Sequence, residues 1–346
     1  MKILIVKPSS LGDIIHAFPA INFLRKHYPN AYISWVVNKE YVEVVELCST
    51  VDQTIIFDRK NWKNLKFIKE FFSLIKELRE DNYDLVFDFQ GLFRSGCITG
   101  LSGASKKIGF QDAREFASIF YTDKEPIPAN IKNAIRKNIF LVQNYLRQPD
   151  AEIEFPKIKK LQENSTSANK LLKNAKINTK KHNIIAVAPE TRWESKTWPA
   201  KKFADLLDVV AQKNDKIKFW IIGTESGKNI GEKIISKCLY AKPVSFMGQT
   251  PLGTLVELLR ESKAIITNDS GPMHIACALQ IPVFAFFGPT SQELTGPIGT
   301  QHTVFSNHEA ECAPCFQKKC SKKYAICNEI GTSEQLATQI LEKLNL

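Results

Sequence analysis

Lys2-Ile3-Leu4-Ile5-Val6-Lys7 is a short apolar run closed by a charge, and Pro8-Ser9-Ser10-Leu11-Gly12-Asp13 follows before apolar residues recur at Ile14, Ile15, Phe18, Ile21 and Leu24. The run is too short for a helix and too uniformly apolar for a half-exposed strand, so it reads as a strand buried on both faces. The later spacing is that of a helix. Strand, small-residue loop and helix form the opening of a parallel βαβ unit.

Outward from this stretch the alternation repeats. Residues 32–37, 53–57 and 84–89 read as strands, with a long helix over 65–78 before the last of them. A second set reads as strands at 184–188, 217–222, 264–267 and 282–287, each ending in a loop that contains Gly, Pro or Ser. Alternating strands and helices imply parallel sheets covered on both faces, with ligands bound beyond the carboxyl ends of the strands. Between the sets, from about residue 149 to 181, the sequence turns polar and lysine-rich. We therefore expect an α/β protein of two Rossmann-like domains, over 1–160 and 182–346, joined by a connection at 161–181, their parallel sheets facing across a cleft. The segment 333–344 is a plain amphipathic helix opened by a Ser- or Thr-type cap.

Composition agrees with two ordinary domains. The chain has 346 residues, 44% hydrophobic and 24% charged, which is a soluble globular composition rather than a disordered or fibrous one. Apolar stretches such as 283–287 fall far short of a bilayer span, and Lys7 cuts off the first apolar run before it could serve as a signal peptide. The expected location is the cytoplasm. A net charge of +11 favours anionic partners, whether nucleic acid, acidic headgroups or phosphorylated sugars, although a lysine-rich solvated surface would give the same balance.

Three loops carry candidate chemistry. In the first, Asp13 at the start of a helix could take a proton from a hydroxyl as general base, or Asp13 or Ser10 could simply cap the helix. It is not a Walker loop, because no Gly-Lys-Ser/Thr follows. In the second, Asn268-Asp269-Ser270-Gly271-Pro272-Met273-His274 follows a strand and opens a helix whose free amides suit a phosphate, or else is only a well-capped helix start. In the third, Lys196 stands between Trp193 and Trp198, where it could be held towards a diphosphate or lie in solvent.

Taken together, Ser9-Ser10-Leu11-Gly12-Asp13-Ile14-Ile15-His16 with Pro19, Asp88-Phe89-Gln90-Gly91-Leu92-Phe93-Arg94-Ser95, Lys196-Thr197-Trp198-Pro199 and Asn268 to His274 resemble glycosyltransferase family 9, which contains the lipopolysaccharide heptosyltransferases. The resemblance implies a GT-B architecture with an amino-terminal acceptor domain and a carboxyl-terminal donor domain. It implies inverting transfer from ADP-heptose to the inner core of lipopolysaccharide, with no cofactor required for catalysis. Carried over by motif, Asp13 is the catalytic base. Lys196, Asp269, Ser270, Gly271 and His274 belong to the donor site, while Ser9, Ser10, Gly12, Gln90, Arg94 and Arg114 face the acceptor. The family's ribose-contacting acid, expected shortly after Gly223, has only Glu225 nearby. An acidic acceptor at an anionic inner-membrane surface matches the positive charge.

Cys312, Cys315, Cys320 and Cys327, with His308 just before them, cluster as metal ligands do. Only the first pair has the usual two-residue gap, so structural zinc, reduced structural thiols and a disulfide all stay open. Cys48, Cys97, Cys238 and Cys277 are isolated and read as core or helix positions. Some family members carry a similar cysteine segment. It resembles those acting on heptose, whereas the amino-terminal motifs resemble those acting on Kdo. Two other classes account for less. A zinc-containing nucleic-acid-binding protein leaves the Asp13 loop unexplained, and its basic residues would form a stripe rather than a scatter. A dinucleotide-dependent oxidoreductase lacks its Gly-x-Gly-x-x-Gly in both halves.

Overall fold

The computed structural model describes residues 1–57, 65–149, 152–307, 309–322 and 325–346. His308 lies outside them. The chain divides into two compact units, Met1–Lys159 and Lys160–Leu346.

In the first unit, β1 (Lys2–Val6) leads into α1 (Leu11–His27), followed by β2 (Tyr32–Val37), α2 (Val42–Glu46), β3 (Gln53–Ile56), α3 (Leu65–Glu80), β4 (Leu85–Asp88), α4 (Phe93–Leu101), β5 (Lys106–Phe110), β6 (Asp123–Glu125) and α5 (Ala134–Leu146). All six strands are parallel, in the order β3-β2-β1-β4-β5-β6. Ile3, Leu4, Ile5 and Val6 have no exposed surface, as expected of a strand covered on both faces. On one face Leu4, Val6, Val36 and Val86 pack with Leu74, Ile75 and Leu78 of α3 and Ile98 of α4. α1 has buried residues all round, including His16, Pro19 and Asn22, because it lies against α5 and is strapped at Asn22, whose Nδ2 donates to the Glu154 carbonyl at 3.1 Å.

The second unit contains α6 (Gln162–Asn174), β7 (Asn183–Ala188), α7 (Ala200–Lys213), β8 (Ile217–Ile221), α8 (Lys228–Lys237), β9 (Val244–Ser245), α9 (Leu252–Arg260), β10 (Ala264–Asn268), α10 (Gly271–Ala278), β11 (Val283–Phe287), α11 (Gln292–Thr295), β12 (Thr303–Ser306) and α12 (Ser333–Leu344). Its six parallel strands run β12-β11-β10-β7-β8-β9. Counted from its own first strand, this is the same order as in the first unit. Phe203, Leu206 and Leu207 of α7 and Leu336 and Ile340 of α12 pack on Val187, Phe284 and Phe286.

The stretch 161–181 is more than a connection. α6 occupies most of it and packs on α9 of the second unit, so closely that a Cβ on Gly253 would lie 2.2 Å from the Asn164 amide. The Ser165 hydroxyl also donates to the buried Glu257 carboxylate at 3.3 Å. The helix hides in the sequence because it buries only Ala168 and Leu172.

The repeated topology places the chemistry. In each sheet the winding direction reverses between the first and fourth strands of its unit, β1 and β4, then β7 and β10. At such a switch point the loops on either side diverge and leave a crevice at the carboxyl edge. The Asp13 loop follows β1, and the Asn268–Asp269 loop follows β10.

Candidate active site

At the first switch point the loop is organised by hydrogen bonds that converge on carboxylates. Ser10 is the N-cap of α1, and both its N–H (3.0 Å) and its hydroxyl (2.7 Å) donate to Oδ2 of Asp13. Asp13 therefore does act locally at the helix start. It also lines a cavity of about 270 Å³ with Lys7, His16, Gln90, Arg114 and Lys137. Burial pushes the Asp13 carboxyl up, but the Lys7 charge, the Ser10 hydrogen bonds and the His16 charge together hold it below the usual value. An acid in this state is ionised at neutral pH and able to accept a proton.

Lys7 is buried, and its ammonium donates to the Phe89 carbonyl at 2.9 Å. Burial lowers its pKa, opposed by the charges of Asp13 and Asp88. Across the switch point, Asp88 has no exposed surface. It accepts from the N–H groups of Gln90 (2.8 Å) and Gly91 (3.0 Å) and from the Tyr121 hydroxyl (2.7 Å). Burial raises its carboxyl despite these bonds. Gly91 takes φ +61° here, a left-handed conformation that glycine adopts without a Cβ penalty, and its carbonyl accepts from the Arg114 N–H at 3.0 Å. Asp88 thus fixes the turn that presents Gln90 and Arg114.

The Tyr121 ring lies over Gly109, where an added Cβ would come within 2.2 Å of it. Because that ring is pinned through its hydroxyl to Asp88, Gly109→Ala is expected to cost about 1–3 kcal/mol by overpacking. An unchanged thermal melting midpoint would show that the ring is free to move aside.

The structure gathers Asp13, Gln90 and Arg114 around one cavity. Ser9 joins through its N–H, 3.4 Å from Oε1 of Gln90, and Ser10 through Asp13. Gly12 sits in the first turn of α1, and Arg94 is exposed on α4. Neither lines the cavity. Of the other residues here, Lys7, His16 and Asp88 stand within the quoted sequence stretches, but the sequence reading assigns them no role in the site, and Lys137 and Tyr121 lie outside every one. Lys7 carried a readable signal, a charge at the end of a buried strand.

At the second switch point, Asn268 ties the adjacent strand ends together. Its Oδ1 accepts from the Trp198 N–H at 3.2 Å and its Nδ2 donates to the Pro189 carbonyl at 2.7 Å. Ser270 is the N-cap of α10, and Pro272 occupies the first turn. Asp269 Oδ2 receives the Lys196 ammonium at 2.6 Å and the Thr290 hydroxyl at 2.8 Å. The Lys196 nitrogen also stands 4.7 Å from the centroid of the Trp193 ring, close enough for a cation–π contact. Trp198 plays a different part from Trp193. It is buried and stacked on Phe286 at 4.0 Å between ring centroids, so it anchors the loop to the core. His274 is buried in α10.

Glu225 lies apart from this cluster, largely exposed and ion-paired with Lys228 at 2.6 Å. Beside it is a carboxylate that the sequence reading passed over. Glu190 accepts from the Thr224 N–H (2.7 Å) and from the hydroxyls of Thr224 (2.6 Å) and Ser226 (3.0 Å), so it organises the loop after β8. Its readable signal was position, an acid two residues beyond a buried strand.

The cysteine segment is strapped to these loops. The Gln317 carbonyl accepts from the Ser195 hydroxyl at 2.5 Å, the Lys318 carbonyl from the Ser195 N–H at 3.2 Å, and Phe316 donates its N–H to Pro289 at 2.9 Å. Cys312, Cys315 and Cys320 are exposed free thiols and Cys327 is buried. Burial, and then the three neighbouring cysteines, push the Cys327 thiol up. Among the described residues no three His, Cys, Asp or Glu side chains stand together as a metal site.

The family model for glycosyltransferase family 9 (heptosyltransferase) matches residues 71–326. The chain belongs to that family. Lipopolysaccharide heptosyltransferase 1 of Pseudomonas aeruginosa is 26% identical over 330 residues, covering 93% of this chain and 88% of the relative. The solved family 9 glycosyltransferase of Veillonella parvula aligns with a TM-score of 0.85 at 21% identity, over 99% of this chain and 97% of that one. The E. coli heptosyltransferase WaaC with ADP aligns with a TM-score of 0.78 at 23% identity, over 99% and 100%. Two parallel six-stranded sheets flanked by helices are thus the GT-B fold of a family 9 glycosyltransferase, as the four sequence motifs imply.

Proposed function

We propose that this heptosyltransferase-family chain moves a heptose from ADP-heptose to an acidic acceptor, Kdo or heptose, in the inner core of lipopolysaccharide. The observation that carries the reading is Asp13, a carboxylate that accepts two hydrogen bonds from Ser10 and lines a cavity at a sheet's switch point in a family 9 chain. In this reading Met1–Lys159 receives the acceptor and Lys160–Leu346 the donor. An acceptor hydroxyl attacks the anomeric carbon as its proton passes to Asp13, and the bond from that carbon to the diphosphate breaks in the same displacement, inverting the centre. The charge that develops on the departing ADP is met by Lys196 and by the amides at the start of α10. Gln90, Arg114, Lys7 and Lys137 supply donors and positive charge for carboxylates and phosphates of the acceptor. In this reading the ribose falls to Glu225 or to Glu190, because the first stands in the loop after β8 and the second accepts hydrogen bonds from that loop.

Among the described residues no helix is long and apolar enough to cross a membrane. A lipid-borne acceptor puts the enzyme, in this reading, peripherally at the cytoplasmic face of the anionic inner membrane, with no nucleic acid as partner. Mass-spectrometric turnover with ADP-heptose, offered Kdo-lipid A and its heptosylated product in turn, tests it and assigns the acceptor. Transfer to neither would reject the proposal, and turnover only with another nucleotide sugar would reassign the donor.

Because lysine and helix-start amides face the leaving group, transfer should persist within about twofold after divalent ions are chelated. Loss on EDTA treatment with rescue by magnesium or manganese would place a catalytic metal at the diphosphate. Rescue by zinc alone would assign Cys312, Cys315, Cys320 and Cys327 a structural ion.

A further inference from the structure

The loop that walls the Asp13 cavity also turns apolar side chains to the outside. Asp112, Ala113 and Arg114 line the cavity, and just beyond them Phe116 is 81% exposed and Ile119 65%. Phe93, the first residue of α4, is 48% exposed. Its N–H donates to the Glu115 carboxylate at 3.1 Å, and its ring meets Phe120 edge-on at 5.7 Å. Through Glu115 and Phe120, Phe93 thus adjoins the turn that carries Phe116 and Ile119, and Arg94 and Arg114, next to these residues in sequence, are exposed.

This display carries a conformational cost. Glu115 and Phe116 adopt φ values of 53° and 60°, a left-handed conformation disfavoured for bulky L-residues. The turn is nonetheless held firmly, by Ala117 N–H to Arg114 O at 3.0 Å and Ile119 N–H to Phe116 O at 3.2 Å. Below it, α4 approaches so closely that a Cβ on Gly96 or Gly100 would lie 2.7 Å from the Phe120 ring. A protein that only had to fold would gain by turning Phe116 inward.

We propose that Phe93, Phe116 and Ile119 insert into the headgroup–acyl boundary of an anionic bilayer, docking the cavity onto a lipid-borne acceptor. The proposal rests on the acceptor reading above. An amphiphile whose saccharide enters the cavity keeps its acyl chains in the membrane, and the 112–119 loop is continuous from cavity wall to apolar surface. Aromatic and aliphatic side chains beside arginines suit that boundary, the rings entering it while the guanidinium groups meet phosphates. Asp112 and Glu115 are exposed on the same loop, so apolar insertion supplies most of the attraction. The local arginines and the net charge of +11 add to it.

The test is flotation of the full chain with phosphatidylglycerol–phosphatidylethanolamine vesicles that contain no acceptor. The unaltered protein should float. Phe116→Asp with Ile119→Asp should cut the bound fraction about tenfold or more, while melting and transfer to an acyl-free acceptor saccharide stay within about twofold of normal. Should that pair lower the melting midpoint, Phe116→Ser alone replaces it, with reduced flotation expected. The proposal falls if the unaltered protein stays unbound or if the folded variant floats equally well. It also falls if the variant loses acyl-free transfer, or if the unaltered protein is a dimer that the variant splits. Flotation that depends on Phe116 and Ile119 in a protein that transfers no heptose would keep the membrane surface and reject the acceptor reading instead.

Discussion

Asp13→Asn is expected to slow the chemical step by about a hundredfold or more, about 2.7 kcal/mol in the barrier, with the fold intact. The substitution separates the two roles that the geometry gives this side chain. As the partner of Ser10 it accepts two hydrogen bonds on one oxygen, and the amide oxygen of Asn accepts in the same way. As a base it must take a proton, which an amide does not do at neutral pH. The variant should keep its helix start and its ADP affinity while losing turnover. Near-normal activity would leave Asp13 as a cap alone.

The same carboxylate sets a pH signature. Its folded pKa is depressed, first burial opposing and then Lys7, Ser10 and His16 prevailing. A group of this kind contributes stability above its unfolded pKa, near 4 for an aspartate, and loses it as pH falls through the lower folded value. The stability gap between wild type and Asp13→Asn should therefore be widest at neutral pH and close in acid. The acidic limb of kcat/KM should likewise lie below the usual carboxylate range. An acidic inflection at pH 6 or above would assign the limb to another group.

The parts that the sequence made legible share a physical cause. β1, β7, β10 and β11 are buried on both faces, so their solvation requirement is written as unbroken apolar runs, and the loops that follow them could be placed beside them. Edge strands bear no such constraint. β6 is Asp123-Lys124-Glu125 and β9 is only Val244-Ser245, and their identity comes from pairing with a neighbour. α6 escaped for a similar reason, since two buried side chains in thirteen residues set no visible period. Asp13, Lys196 and Asp269 could be singled out as candidates because each follows shortly after a recognisable strand, Asp13 in the first turn of α1. Asp88 was quoted within a motif, but its role was not legible. That role depends on Tyr121, thirty-three positions away, and no local pattern records such a pairing. Trp193 and Trp198 flank Lys196 alike in sequence, yet one faces the lysine and the other enters the core. The difference arises from Phe286 and Asn328, which receive the Trp198 ring and its N–H.

Lys196→Ala should raise the barrier by about 2.7–4 kcal/mol, the range found when one oxyanion contact is removed, and lower turnover about a hundredfold to a thousandfold. The structure supplies a competing cause for any loss. Asp269 is nearly enclosed, its side chain 6% exposed, and without Lys196 it keeps only the Thr290 hydroxyl of the two donors it has now. A buried carboxylate stripped of its cation is costly and would distort the loop that opens α10. The double variant Lys196→Ala with Asp269→Asn separates the causes, because it removes the unpaired charge along with the lysine. If Lys196 neutralises the departing diphosphate, melting recovers in the double variant and turnover does not. Were Lys196 only the counter-ion of Asp269, both would recover together. Asp269→Asn alone frees the ammonium from its 2.6 Å partner, so it should bind ADP at least as tightly as the unaltered enzyme. Weaker ADP binding by a folded Asp269→Asn protein would show instead that Lys196 needs the carboxylate to hold it in place.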